Sequence, residues 1–130
     1  MIDVVAAIII NEQQQILIAK RKEEKMLGGY WEFPGGKIES GETAEESLIR
    51  ELMEEMHIDI KIYKYFGENI YTYERETIKL IGYIAEIVKG KIILTDHSDY
   101  KWVKKQELTK YNMAPADIYF IKKLEKEASI

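Results

Sequence analysis

Glu51, Glu54 and Glu55 stand at i, i+3 and i+4. On a helix these spacings put three carboxylates on one side, each within reach of the next. The repulsion costs only ~0.2–0.5 kcal/mol per pair, so a solvated helix tolerates it and the triplet alone is ordinary. Its surroundings are less so. The stretch PGGKIESGE, residues 34–42, runs into the same helix, and its glycines let backbone amides and carbonyls approach a ligand closely. Carboxylates beside such a loop suit a hard divalent cation that bridges to phosphate oxygens. The chain has no cysteine and two histidines, so a metal site must draw on carboxylates, carbonyls or those histidines. That favours Mg²⁺ or Mn²⁺ over structural zinc.

The elements that must position these groups follow from periodicity. Residues 4–10 form a continuous β-branched apolar run, which predicts a buried strand. NEQQQ reads as a turn and ILIAKR as a second strand, together a hairpin. WEF reads as a short extended piece, and PGGKIESGE as loop. Residues 43–56 take a helical period, with Thr43 and Glu46 at capping-box spacing and Leu48, Ile49, Leu52 and Met56 in one stripe. Strands are predicted over 58–65, 69–73 and 77–88, with short ones at IIL and YKWV and a helical turn at KKQEL. Pro115 opens a second helix over 115–127, with Ile118, Ile121 and Leu124 as its apolar face. This order predicts one α+β domain over 1–130, a mixed sheet covered by a helix on each face.

Composition bounds the function. Of 130 residues, 46% are hydrophobic, enough for a sizeable core. Nineteen basic residues against 23 acidic ones give a net charge of -4 with no basic run, which disfavours a nucleic-acid polymer as partner. The start MIDVVAAIII lacks a basic n-region, no run is long enough to span a membrane, and the expected compartment is the cytoplasm.

Gly36, five residues, Glu42, seven residues, then RELMEE over 50–55, followed by His57 and Ile58, closely resembles the Nudix box of the Nudix hydrolases. The box usually has glycine where this chain has His57, at the helix end where a left-handed cap is expected. VVAAIII, ILIAKR and WEFPGGKIESGE resemble the MutT-like branch, and MAPAD resembles its cytidine-triphosphate pyrophosphohydrolases.

The resemblance implies a Nudix-type α/β/α sandwich and divalent-metal-dependent hydrolysis of a nucleoside triphosphate to nucleoside monophosphate and pyrophosphate. The substrate would be of 8-oxo-dGTP or CTP type, the metal Mg²⁺ or Mn²⁺, and the protein a monomer or homodimer. By the family pattern Glu51, Glu54 and Glu55 are metal ligands with the carbonyl of Gly35, and Glu54 doubles as the base that activates water. Glu42 and Arg50 form a bracing ion pair. Asp96, six residues before Trp102, matches a distal metal ligand. Arg21 and Lys37 match phosphate-binding positions, Phe33 a wall of the base pocket, and Asp117 a base-reading position. By residue type alone, Asp96 reads equally as a loop acid, Phe33 as core, Arg21 and Lys37 as surface charges, and Asp117 as an acid favoured at a helix N-terminus. The alternatives are a Nudix hydrolase of ADP-ribose or dinucleotides, and a non-catalytic nucleotide-binding module.

Overall fold

The apolar run near the start of the chain has no polar face because both of its faces are covered. In the computed structural model, which describes residues 1–128, it forms β1 (Ile2–Ile9). Ala6 and Ile8 pack in one core with Phe120, Ile121 and Leu124. Val5, Ala7 and Ile9 pack in another with Leu48, Leu52 and Met56. The first triplet lies on α2 (Ile118–Lys126) and the second on α1 (Ala44–Met56), so a helix covers each face.

β1 pairs antiparallel with β4 (Gly35–Lys37) and parallel with β6 (Glu76–Gly90), and β5 (Ile58–Tyr73) extends the far side of β6. The order of this mixed sheet is β4-β1-β6-β5. A smaller antiparallel sheet, β3-β2-β7, joins β2 (Gln15–Arg21) to β3 (Trp31–Glu32) and β7 (His97–Lys104). Its Ile16 and Ile18 enter the α2-side core and its Leu17 and Ala19 the α1-side core. The fold is thus α+β, with mixed pairing and flanking helices. Among the described residues no helix is long and apolar enough to cross a membrane.

Several expectations are corrected. The predicted hairpin closes through a single bridge, Ile10 to Ile16, after which β1 and β2 part into different sheets. Each has two faces to bury, which a simple hairpin cannot do. The glycine-rich stretch is not all loop, since Gly35–Lys37 pairs with Val4, Val5 and Ala6. An added Cβ on Gly35 would meet the Val5 carbonyl at 1.9 Å, so the close pairing requires glycine. IIL is not a strand: Ile93 N–H donates to Met56 O (3.0 Å) and Thr95 N–H to Glu55 O (3.1 Å), serving the free carbonyls at the end of α1. Finally, Ile49 and Ile118 are each 40% exposed, and Ser47 and Phe120 occupy the buried places instead. Elsewhere, β5 runs on through Gly67 with register shifts where two strands were predicted, and a 3₁₀ turn, Pro115–Asp117, precedes α2.

The capping box forms: Thr43 Oγ1 accepts from Glu46 N–H (3.1 Å) and Glu46 Oε1 from Thr43 N–H (2.9 Å). At the other end His57 is left-handed (φ 58°, ψ 32°), with its N–H on Met53 O at 3.0 Å. Its side chain is exposed. His57→Gly is therefore expected to stabilise the protein by about 0.5–1 kcal/mol, raising Tm by roughly 2–4 °C in a calorimetric melt. A fall in Tm would mean that the imidazole contributes more than the backbone strain costs.

Candidate active site

The capped helix α1 projects its carboxylates toward β4 and the start of β7. Arg50 is the hub. Its Nε donates to Glu42 Oε2 (2.6 Å) and its Nη2 to Glu42 Oε1 (3.0 Å), a two-pronged grip. Its Nη1 donates to Glu51 Oε1 and Glu54 Oε1, both at 3.0 Å, and its Nη2 to the Lys37 carbonyl at 3.3 Å. The guanidinium thus ties the loop, the strand and the helix together. Its grip holds the Glu42 carboxyl down at about 2, and the carboxylates in turn push the Arg50 pKa up.

The glutamates differ in setting. Glu54 is mostly exposed, at 60% of its side chain, whereas Glu51 and Glu55 are 13% and 15% exposed. Burial, followed by the adjacent Glu51 carboxyl, pushes Glu55 up to about 10, with Asp96 and Glu32 adding to the effect. Glu51 lies so close to the backbone of β4 that a Cβ on Gly36 would meet its carboxyl carbon at 2.3 Å. That atom ends a flexible side chain, so the chain can fold around the clash while the carboxylate moves. Gly36→Ala is expected to shift Tm by less than about 2 °C but to lower kcat/KM by about tenfold or more, read by thermal melts and steady-state kinetics. A variant with unchanged turnover would remove Glu51 placement as the reason for the glycine.

Among the described residues no three histidine, aspartate or glutamate side chains are already gathered as a ligand set. The fit to a hard divalent cation is one of chemistry. Two half-sequestered carboxyls stand side by side, and Glu55 relieves the crowding by keeping its proton; an oxygen-coordinated cation would relieve it as well. Asp96 is near enough to raise Glu55, yet it is paired with Lys25 of the loop after β2.

The predicted substrate residues gather elsewhere. A cleft of about 210 Å³ is lined by Arg21, Phe33, Gly35, Gly36, Lys37 and Asp117, with Glu32, Tyr73, Leu80 and Ala116 among its other walls. Phe33 is both wall and core, being 2% exposed. Asp117 is buried, and its Oδ2 accepts from Phe33 N–H at 2.9 Å. Burial raises its pKa well above the usual carboxylate value, with the nearby Glu32 carboxyl adding to the effect. Arg21 donates through Nε to Met26 O (2.8 Å) and through Nη1 to Glu32 (3.1 Å). Lys37 is exposed at the cleft rim. Glu51 reaches the cleft only at Gly36, where the cleft and the carboxylate cluster adjoin.

Residues 2–124 match the NUDIX domain family. The chain is a Nudix hydrolase. Over 122 residues it is 36% identical to the CTP pyrophosphohydrolase of Escherichia coli (strain K12), covering 91% of this chain and 87% of that one. It is 32% identical over 130 residues to the 8-oxo-dGTP diphosphatase of Haemophilus influenzae, covering 98% and 93%. The solution structure of the E. coli ORF135 protein superposes with a TM-score of 0.82 at 32% identity, covering 96% of this chain and 89% of that one. The solution NMR structure of the MutT protein (family Nudix hydrolase) from methicillin-resistant Staphylococcus aureus 252 gives 0.75 at 39% identity, covering 95% and 94%.

Two residues that the sequence did not single out sit at the centre of this Nudix hydrolase. Glu32, between Trp31 and Phe33, joins Arg21 to His97, whose Nε2 lies 2.9 Å from Glu32 Oε2. His97 is buried behind Glu55. Their spacing in the chain, 65 residues apart, gives no signal. Only the pairing of β2 with both β3 and β7 brings them together.

Proposed function

We propose that this Nudix hydrolase converts a nucleoside triphosphate to the monophosphate and pyrophosphate, with Mg²⁺ or Mn²⁺ held by Glu51, Glu54 and Glu55, the Gly35 carbonyl and Asp96. The observation that supports this most is the continuity of the cleft. The same lining holds the buried Asp117–Phe33 pair and the Gly35–Gly36–Lys37 strand against which Glu51 lies. A nucleoside seated against Phe33 and Asp117 directs its phosphates past Arg21 and Lys37 toward the carboxylates.

A divalent cation bound there supplies charge neutralisation on the phosphate oxygens and acidifies a water. Arg21 and Lys37 bind phosphate oxygens. Arg50, through Glu42, holds the helix against β4 and so orients Glu51 and Glu54. Glu54, the most exposed of the three, accepts the proton of the attacking water. Burial favours a proton on Asp117, and in that form its carboxyl offers a hydrogen-bond donor and acceptor side by side, matching the N3 and amino edge of cytosine or the O6 and N1–H edge of an 8-oxoguanine. Two relatives bear activity names of these two classes.

A hydrolysis screen of canonical, methylated and oxidised nucleoside triphosphates, with ADP-ribose as control, decides the substrate by kcat/KM. The expected result is a triphosphate of cytosine or 8-oxoguanine preferred by about tenfold or more, with release of pyrophosphate. Asp117→Ala is expected to reorder the preferences. A uniform loss across bases would remove Asp117 from base reading, and preference for ADP-ribose would overturn the triphosphate assignment.

A further inference from the structure

His97 is one of two histidines and is almost fully enclosed, with its side chain 2% exposed. One ring nitrogen is anchored: Nε2 lies 2.9 Å from Glu32 Oε2. Glu32 is itself held by Arg21 Nη1 at 3.1 and 3.3 Å. The other nitrogen, Nδ1, is buried with no hydrogen-bond partner. Buried polar atoms are nearly always paired, so an orphan needs a reason. Glu55 Oε1 stands 4.0 Å away, about one ångström beyond hydrogen-bond length.

We propose that His97 is a positioning residue for Glu55. Its Nε2 is fixed on Glu32, and its Nδ1 edge sets where the Glu55 carboxyl stands toward a bound divalent cation. This rests on the reading of Glu55 as a metal ligand.

The backbone around the pair is already fixed. Thr95, two residues before His97, donates through Oγ1 to the Glu54 and Glu55 carbonyls at 3.0 and 3.2 Å, and through its N–H to Glu55 O at 3.1 Å. His97 itself enters β7 opposite Arg21, at the register shift that ends the β2–β7 pairing. Both main chains are therefore tied to each other, and the ring cannot swivel without breaking its bond to Glu32. The gap lies between the fixed ring edge and the Glu55 side chain, which also stands against Glu51. Whichever of the two groups supplies the hydrogen, a fixed nitrogen on one side leaves the outward Glu55 oxygen aimed at the carboxylate cluster. A histidine that only filled the core would not need Nδ1 turned toward a carboxyl. Groups that orient a metal ligand in this way usually alter metal affinity about 10–100-fold when removed.

Two amides separate the two edges of the ring. His97→Gln keeps a polar group at the place of Nε2 and removes the one at Nδ1. His97→Asn does the reverse. Mn²⁺ affinity of the nucleotide-free protein, read by electron paramagnetic resonance, is expected to weaken about tenfold in the glutamine variant and to stay within about threefold of the wild type in the asparagine variant. Tm is measured in parallel with a chelator present. Wild-type affinity in the glutamine variant, or equal weakening in both, overturns the proposal. Glu51→Gln is the control for the underlying site. If it too leaves Mn²⁺ affinity unchanged, the metal assignment fails; if it releases Mn²⁺ while His97→Gln does not, the His97 role alone fails. Should either variant not fold, ¹⁵N spectra of the wild-type imidazole give the answer: saturating Mg²⁺ shifts the Nδ1 resonance, and an unmoved resonance overturns the proposal.

Discussion

Glu55→Gln is expected to lower kcat/KM by about 10²–10³-fold and at the same time to stabilise the metal-free protein. The two effects have one cause. Glu55 is mostly buried beside Glu51, which pushes its carboxyl up to about 10 from an unfolded value of 4.5. Between those values the folded protein keeps a proton that the unfolded chain gives up, so wild-type stability falls as pH rises. Below about pH 4 both states hold the proton, and glutamate and glutamine are nearly equivalent. At about pH 7 the advantage of glutamine is bounded by roughly 3 kcal/mol, and it grows further toward higher pH. Thermal melts with a chelator, from about pH 5 to about pH 9, measure this directly. A Tm difference that does not widen with pH would mean that Glu55 is not held neutral by burial. Saturating Mg²⁺ is expected to narrow the difference, because a cation stabilises only the chain that can bind it.

Arg50→Lys is expected to cost about 10–100-fold in kcat/KM although the charge is kept. Lysine offers one point of attachment where Arg50 makes contacts with Glu42, Glu51, Glu54 and the Lys37 carbonyl. Losing the planar fork frees Glu51 and Glu54 to repel one another and releases the loop at Glu42. Arg50→Ala goes further, leaving these acids without their shared cation, and is expected to lower Tm clearly more than the lysine variant. The acid limb of stability changes too. Glu42 is lowered to about 2 from 4.5, so the wild type gains from this pair above about pH 4.5 and loses it as pH falls toward 2. Both variants should flatten that limb in circular-dichroism titrations. An Arg50→Lys enzyme with wild-type kcat/KM would show that charge alone suffices.

Local interactions were legible in the sequence, and returning ones were not. Thr43 and Glu46 announce the start of α1 because a capping box needs only four consecutive residues. Glu42 and Arg50 meet at 2.6 Å as their spacing in the box implies. The hairpin was misread because a polar turn between two apolar runs looks the same whether or not the strands stay together. Here the Asn11 side chain closes the turn, accepting from Gln13 and Gln15 N–H, and the strands then diverge. IIL resembled a strand because apolar β-branched residues suit any extended segment, including one that satisfies helix carbonyls. Glu32 and His97 were invisible for a different reason. Nothing near either residue reports the other, and their contact depends on the register of three strands. The resemblance offers Asp96 as a distal ligand, six residues before Trp102, but nothing in the sequence signals its pairing with Lys25.

The parallel pairing of β1 with β6 sets residue 2 beside residue 78. During synthesis β1 leaves the ribosome long before the strand that completes it. At roughly 5–20 residues per second the delay is about 4–15 s. Until β6 emerges, VVAAII can pair only with the short β4, and the face that α2 covers stays bare. Misassociation is therefore most probable early, before the carboxylate cluster of α1 has been assembled. Substitutions that hasten pairing in β6 should improve the yield of folded protein without changing the rate at which each folded molecule works.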